Sequence, residues 1–373
     1  MVKTFALTEE PTLEPSGNPR ASLGGNEMKT LQELLGVQVS VIQAPMASVQ
    51  TSALTVAVAS AGALGSLPCA LLSADALRKE LTTLTSQLGG WPFNVNFFCH
   101  APPQPNPERE NGWRQVLAPY YKELGNAPGS IPAGPVLAPF SHETADVLEE
   151  FRPAVVSFHF GLPGPELLQR VRAWGAVVLS SATTVEEARW LEARGADVIV
   201  AQGLEAGGHR GHFLSTDLTR QMGTFALLPQ IVRHVKVPVV AAGGIADSHG
   251  VAAAMALGAA GVQVGTAYLL CPEVTTSPIH RAAIKSDLSH HTALTNVFTG
   301  GGARCIMNRI TRELGPMNPL VPGFPLAAAA MAPLRAKAEA AGAGDFSPLW
   351  CGQNSTGCSE IPAADLTRRL NPD

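Results

Sequence analysis

Short apolar or β-branched segments alternate along most of the chain with longer segments whose apolar residues recur at helical spacing. This alternation predicts parallel strands joined by crossover helices, because each helix must bury one face against the sheet. The strand-like segments are residues 39–44, 63–67, 93–98, 154–160, 176–180, 197–201, 238–242 and 261–265. Helical patterns lie between them at residues 73–87, 145–151, 165–174, 185–194, 224–235 and 247–257. Eight such units predict an α/β fold, a closed (β/α)8 TIM barrel.

Three segments depart from this rhythm. Residues 1–27 are polar and rich in Pro, Gly and Glu, which predicts a disordered extension before a barrel over residues 28–272. A Pro-rich insertion at about residues 101–139 contains a short helical pattern at 112–123. The tail, residues 273–373, has helical patterns at 278–286 and 325–341, and these predict a small helical cap over the active face of the barrel.

Composition narrows the function classes. The chain has 373 residues, 46% hydrophobic and 15% charged, which is enough for one large core with a smaller appendage. Its formal net charge is -4, and Lys and Arg form no run longer than a pair, so we expect neither a nucleic-acid nor a membrane partner. The six cysteines include no C-x-x-C pair, so we expect neither a metal site nor a disulfide framework. With no signal-like or membrane-spanning segment, a reducing cytoplasm is expected.

The first chemical signal is the run Q-G-L-E-A-G-G-H-R-G at residues 202–211, which directly follows the sixth predicted strand. Gly207 and Gly208 would let the backbone approach a planar ligand closely. His209 adds the side chain whose ordinary pKa lies nearest neutrality. Together they predict acid–base chemistry beside a cofactor, although a loop histidine considered alone is more often a surface or packing residue.

Two further glycine-containing loops follow the last two predicted strands. Gly243 and Gly244 end the seventh strand, and the eighth ends in Gln263, Val264, Gly265 and Thr266. In such barrels these loops commonly bind a phosphate through unpaired backbone N–H groups, although glycines can also serve only to permit tight turns. Neither loop matches a nucleotide P-loop or a dinucleotide fingerprint, so a mononucleotide phosphate is predicted.

Other strands place polar or thioether side chains at the same predicted mouth. Met46 follows the first strand, Asn96 lies near the end of the third, His159 ends the fourth and Gln202 follows the sixth. Amide groups can both donate and accept hydrogen bonds, as the edges of a flat heteroaromatic ring require. Each of these residues alone could simply end a strand, but together they predict a ligand site.

Taken in their order along the chain, these motifs and their neighbours resemble those of the nitronate monooxygenases over residues 31–353. They are Q-A-P-M (43–46), N-V-N-F-F (94–98), V-S-F-H-F-G (156–161), the 202–211 run, A-G-G-I (242–245), Q-V-G-T (263–266) and N-R (308–309). The resemblance implies an FMN-dependent enzyme that oxidises alkyl nitronates, and nitroalkanes if the neutral form is accepted, with molecular oxygen to a carbonyl product and nitrite, without nicotinamide or metal. A monomer or homodimer is expected. The resemblance also implies His209 as the catalytic group and His159 as a second active-site histidine. The implied FMN site comprises Met46, Asn96, Gln202, Gly207, Gly208, Gly243, Gly244, Gln263, Val264, Gly265 and Thr266.

The sequence also departs from the family pattern. Ser48 stands where glycine is usual, Gly301 and Gly302 replace an Arg-containing segment, and Phe324 replaces a common tyrosine. The helix that follows Pro325 also has no lysine before Lys337. Loss of the tyrosine phenol and of a lysine ammonium would weaken binding of a carboxylated substrate such as propionate 3-nitronate, so a more apolar nitronate is expected. Two alternatives remain open. One is an FMN-dependent, NAD(P)H-using enoyl-acyl-carrier-protein or quinone reductase, and the other is a non-enzymatic flavin-binding or sensing protein.

Overall fold

A computed structural model describes residues 29–104, 106–126 and 137–371, so the predicted extension over residues 1–27 lies outside the described residues. The strands in chain order are β1 (Val41–Gln43), β2 (Ser66–Pro68), β3 (Asn94–Phe98), β4 (Val155–His159), β5 (Val177–Ala182), β6 (Val198–Gln202), β7 (Gly208–His209), β8 (Val239–Ala242), β9 (Gly261–Val264), β10 (Thr292–Thr295) and β11 (Ala303–Ile306).

Eight of these strands form one parallel sheet in the order β1-β9-β8-β6-β5-β4-β3-β2. The backbone around Leu64 closes the sheet onto β1, because Gln43 N–H donates to the Leu64 carbonyl at 2.9 Å and Leu64 N–H donates to the Val41 carbonyl at 3.0 Å. The eight predicted strand segments correspond to these strands within a few residues at each end. The predicted (β/α)8 barrel is therefore confirmed.

The helices begin mostly at Ser, Thr, Asp or Asn caps, as the sequence patterns require. They are α1 (Leu31–Leu35), α2 (Ser52–Ala59), α3 (Ala74–Leu88), α4 (Pro107–Glu123), α5 (His142–Phe151), α6 (Pro165–Ala173), α7 (Val185–Ala193), α8 (Thr224–His234), α9 (Ser248–Ala256), α10 (Pro278–Ile284), α11 (Arg309–Glu313), α12 (Ala327–Ala340) and α13 (Ala363–Leu370).

Helix α1 lies across the end of the barrel at which the strands begin. Leu31 and Leu35 are buried and pack with inward-facing barrel residues such as Ile42 and Val240. Gly36 ends the helix in a left-handed conformation, with φ +70°, which returns the chain toward β1. Helix α1 thus covers this end of the barrel, and the strands finish at the opposite end.

The last helix of the tail belongs to the barrel wall. Helix α13 packs against α2 and α9, and its Leu366 and Leu370 are buried in the layer between sheet and helices. The Tyr268 hydroxyl lies 2.8 Å from that of Thr367. Helix α13 thus fills the place of an outer helix after β9, and the chain leaves the barrel to build a cap before it returns to complete the ring.

The cap combines the insertion with the tail. Helix α4 is longer than the sequence pattern predicts, because Asn106 caps a helix that begins at Pro107. The Tyr121 hydroxyl donates to the Ala330 carbonyl of α12 at 2.6 Å. Both segments contribute to one separate core, comprising among others Trp113, Leu117, Tyr121, Phe298, Ala330 and Leu334.

The predicted helices of the cap are present, but so is a three-stranded antiparallel sheet that the sequence patterns did not predict. Its order is β10-β11-β7, and Ala303 of β11 is paired with His209 of β7. Strand β7 is part of the glycine-rich 202–211 run, so the loop that carries His209 is an edge strand of the cap. The hydrophobic pattern does not predict this pairing, because a two-residue strand shows no periodicity.

Candidate active site

The polar side chains at the barrel mouth come from adjacent strand ends. The side-chain amide of Asn96 on β3 donates to the Ser157 hydroxyl of β4 at 2.9 Å. The side-chain oxygen of Asn96 has no partner among the described residues. Met46 follows β1, and its sulfur lies 3.7 Å from the position that a Cβ on Gly265 would occupy. Gln263, in the middle of β9, is half-buried. The structure therefore places the predicted cofactor residues from the first, third and eighth barrel strands around one mouth.

The loops after β8 and β9 expose backbone donors. Gly243 and Gly244 have φ angles of +116° and +75°, which only glycine adopts without strain. Among the described residues, the N–H groups of Gly243, Gly244, Gly265 and Thr266 donate to no acceptor. Thr266 also begins a 3-10 helix, Thr266–Leu270. A concave set of unpaired N–H groups at a helix start is suited to a phosphoryl group.

Residues 352–354 of the cap lie directly on these loops. Gly352 N–H donates to the Thr266 hydroxyl at 2.9 Å, and the Asn354 amide donates to the Gly244 carbonyl at 2.9 Å. A Cβ on Gly207 would lie 2.6 Å from the Gly352 nitrogen, so Gly207 is required for this close approach. Sequence reasoning missed the segment, although the polar G-Q-N-S-T run at residues 352–356, which follows an apolar pair, was an available signal.

His209 lies where the cap meets the mouth. Its Nε2 is 2.9 Å from the Thr299 hydroxyl oxygen. Its ring centroid is 5.1 Å from that of Phe324 and 5.3 Å from that of Trp350, and Phe98 and Phe160 are each at 6.3 Å. Burial lowers the pKa of His209 to about 3, so the imidazole is neutral near pH 7.

The backbone carbonyl of His209 is held by two side chains from the barrel. His159 Nε2 lies 3.1 Å from it, and the Gln202 amide donates to it at 3.0 Å. The Gln202 carbonyl oxygen also accepts from Gly211 N–H at 2.8 Å, so both ends of this predicted cofactor ligand are occupied by the loop. The second nitrogen of His159, Nδ1, is 3.1 Å from the Ser181 hydroxyl, and burial lowers the pKa of His159 to about 4.

The charged neighbours of His209 in sequence order the loop. Arg210 is fully buried and donates to the Gln202 and Gly203 carbonyls, each at 2.6 Å, and burial lowers its pKa to about 9. The Glu205 carboxylate accepts from Thr224 N–H at 2.8 Å and from the Thr224 hydroxyl at 2.9 Å. These contacts occupy both side chains away from the imidazole.

The space beside His209 is lined mainly by aromatic rings. Phe324 lies 5.0 Å from the ring of His100 and 5.2 Å from that of Phe160, measured between centroids. A Cβ on Gly301 would approach the Phe324 ring to 3.1 Å. His100 donates through Nε2 to the Leu137 carbonyl at 2.9 Å, and its buried Nδ1 has no partner among the residues that the structure describes. Such a lining favours an apolar ligand.

Two of the motif positions lie away from this space. Asn308 caps α11 through its side chain, and Arg309 forms a bidentate pair with Glu123 at the exposed edge of the cap. Ser48 has φ +69°, a conformation that favours glycine, so the departure at this position carries a backbone cost of about 1 kcal/mol.

All six cysteines are free thiols. Cys69 and Cys305 are buried, and burial raises their pKa values, so they pack as small apolar side chains. Cys99 is half-buried. Within the described ranges, the helices include none with both the length and the apolar character needed to cross a membrane, and no cluster of His, Cys, Asp or Glu is arranged to hold a metal ion.

Comparison with known proteins connects this geometry to a family. The family model described as nitronate monooxygenase matches residues 28–373. A nitronate monooxygenase of Pseudomonas aeruginosa is 43% identical over 349 residues, covering 90% of this chain and 96% of that protein. A second, from Paraburkholderia phytofirmans, is 40% identical and covers 92% of this chain and 94% of that protein.

Solved structures agree with these sequence matches. The crystal structure of nitroalkane oxidase from Streptomyces ansochromogenes superposes with a TM-score of 0.82 at 37% identity, covering 91% of this chain and 96% of that one. FabK from Thermotoga maritima superposes with a TM-score of 0.67 at 26% identity, covering 92% and 95%. The whole architecture, barrel with cap, is therefore shared with these proteins.

Proposed function

This chain belongs to the nitronate monooxygenase family, and from that premise we propose that it is an FMN-dependent enzyme that oxidises alkyl nitronates with molecular oxygen. The products are a carbonyl compound and nitrite. The observation that carries the proposal is the position of His209. Its neutral ring lies among aromatic side chains, and the glycine-rich run that carries it follows β6 at the barrel mouth. The unpaired N–H groups of the β8 and β9 loops lie at the same mouth.

The chain has the donors that FMN requires. The N–H groups of Gly243, Gly244, Gly265 and Thr266 would hold the phosphate, since no protein acceptor among the described residues occupies them. The flavin ring would lie against Met46, Asn96, Gly207, Gly208 and Gln263. The side chain of Val264, also predicted for this site, is instead buried between the sheet and the outer helices. Gln202 would act through the loop that its amide holds. When bound, FMN supplies the electron transfer between nitronate and oxygen.

His209 would stabilise the negative charge of the nitronate. A neutral imidazole can donate one hydrogen bond to a nitronate oxygen, and desolvation by the surrounding rings strengthens that bond. The lowered pKa, about 3, also makes the ring a weak base. We therefore expect the enzyme to act on preformed nitronates and to be slow with neutral nitroalkanes, which must lose an α-proton first.

The lining favours an apolar nitronate. Phe98, Phe160, Phe324 and Trp350 surround the imidazole, and an aromatic ring cannot neutralise a second negative charge. The nearby guanidinium of Arg210 is committed to backbone carbonyls. A carboxylated substrate would lose the hydration of its carboxylate without a compensating partner, and we expect it to bind more weakly than ethylnitronate.

Anaerobic titration of the purified protein tests the proposal. Ethylnitronate, propionate 3-nitronate and NADPH are added separately while the flavin absorbance is followed, and the released flavin is identified and counted. We expect one FMN per chain, bleaching by ethylnitronate and none by NADPH. Bleaching by NADPH alone would make the protein a nicotinamide-dependent reductase. Bound FMN that no arm reduces would favour a flavin-binding protein without turnover.

A further inference from the structure

Thr299 approaches His209 from the cap. It lies in the loop between β10 and β11, and its hydroxyl oxygen is 2.9 Å from His209 Nε2. Gly301 N–H lies 3.4 Å from the same oxygen. The loop is anchored by Phe298, which is buried and whose ring lies 5.7 Å from that of Trp350. The hydroxyl is therefore held by the cap, whereas His209 follows β6 of the barrel by a few residues.

The direction of the Thr299–His209 hydrogen bond follows from its neighbours. Gly301 N–H can only donate, so the Thr299 oxygen accepts from it. The oxygen keeps a second lone pair, but the Thr299 hydroxyl proton has one acceptor among the described residues, His209 Nε2, and donation to this nitrogen is the arrangement that pairs that proton. A nitrogen that accepts carries no proton, so the proton of the neutral ring lies on Nδ1.

Nδ1 of His209 is also the ring nitrogen that remains available to a ligand. It has no hydrogen-bond partner within the described part of the chain, and it is not one of the buried atoms left unpaired there. His159 differs, because its Nε2 must donate to the His209 carbonyl and its Nδ1 is occupied by Ser181. Of these two imidazoles, only that of His209 has a nitrogen free for a ligand.

We propose that Thr299 is a positioning residue that holds His209 in the Nδ1–H tautomer, so that this nitrogen donates to a nitronate oxygen. The inference rests on the proposed function for the identity of the ligand. In the opposite tautomer Nδ1 presents a lone pair, which repels an anionic oxygen instead of binding it. The residue that sets the tautomer comes from the cap, so docking of the cap and activation of the imidazole are coupled.

The test compares Thr299→Val, which removes the hydroxyl at similar volume, with Thr299→Ser, which keeps it. Thr295→Val is the matched control, because Thr295 is the buried last residue of β10, just before the same loop, and its hydroxyl accepts from Val297 N–H and is not bonded to the imidazole. The holoproteins carry histidine labelled with ¹⁵N, and proton–nitrogen correlation spectra report which ring nitrogen is protonated. His209→Asn identifies the signals of His209 by their loss.

We expect wild type, Thr299→Ser and Thr295→Val to show the Nδ1–H tautomer of His209. Thr299→Val should populate the Nε2–H tautomer and lose about tenfold in kcat for ethylnitronate with little change in KM. An Nε2–H tautomer in the wild type, or an Nδ1–H tautomer unchanged in Thr299→Val, would overturn the inference. The tautomer is read without turnover. A protein that shows the expected tautomers but no reduction of its flavin by nitronates would therefore fail only the proposed function.

Discussion

The barrel rim and the cap contribute to the active site in different ways. At the rim, the β8 and β9 loops offer backbone N–H groups, and Gly243 and Gly244 of the β8 loop have φ angles that only glycine adopts without strain. In the cap, Thr299, Phe324 and Trp350 offer side chains that surround one imidazole. A backbone site suits the invariant phosphate of a cofactor, whereas side chains can be exchanged to select a substrate. Under the proposed function, cofactor binding and substrate choice would thus occupy separate parts of the molecule.

The largest effect that separates the two parts is expected for His209→Asn. Loss of the imidazole should lower kcat for ethylnitronate by about 100-fold or more, while FMN remains bound through the rim. The companion variant His159→Gln removes a ring whose two nitrogens are already occupied, and it should cost about tenfold or less. Steady-state oxygen consumption and flavin content measure both. Near-normal turnover of His209→Asn would remove His209 from its role.

The rim is tested by Gly243→Ala. At φ +116°, a Cβ is strained and would lie 3.1 Å from the Ala206 nitrogen, so the N–H donors of the loop must shift. FMN should bind at least about tenfold more weakly. Gly90→Ala is the control, because Gly90 has φ +100° and an added Cβ would have nothing within 4 Å. Equal loss of FMN from both variants would show that backbone strain alone is responsible.

Acidification should weaken the cap through His280. Its ring is buried and bonded to the Trp350 carbonyl at 3.1 Å, and burial lowers its pKa to about 4, below the value of about 6.5 in an unfolded chain. Between these values the unfolded chain binds a proton that the folded protein does not, so stability falls as pH falls. One such group contributes up to about 1.4 kcal/mol per pH unit.

Urea unfolding at several pH values between about 7 and 4.5 measures this dependence. His280→Gln should show a shallower loss of stability than the wild type, by about one proton. His234 is exposed, so His234→Gln serves as the control and should follow the wild type. Identical slopes for His280→Gln and wild type would contradict the assignment of this proton uptake to His280.

The smallest expected effect concerns substrate choice. Phe324→Tyr adds a hydroxyl to a ring whose centroid is 5.1 Å from that of His209. We expect the ratio of kcat/KM for propionate 3-nitronate to that for ethylnitronate to rise about fivefold, as one added hydrogen bond would give. Phe151→Tyr, on the outer helix α5, should leave the ratio unchanged. A ratio that does not move would mean that the substrate does not reach Phe324.

Prediction from the sequence succeeded for the barrel and its rim and was less complete for the cap. The barrel strands were predicted because buried parallel strands are continuous apolar runs, and the family motifs located Gly243, Gly244 and His209 at their ends. The sheet β10-β11-β7 was missed, because β7 has two residues and its partner lies almost a hundred residues later. Thr299 and the 352–354 segment were missed for the same reason, since neither lies near His209 in the chain.

The amino-acid sequence by itself determined the barrel, its glycine-rich rim and the presence of an imidazole there, because local apolar periodicity and glycine conformation act over a few residues. Only the tertiary structure decided that α13 completes the ring, that Thr299 meets His209, and that Gln202 and His159 hold the loop from below. Apart from the Gln202 contact, which spans seven residues, those contacts join segments far apart in the chain, so they form only when these segments pack together in the folded protein.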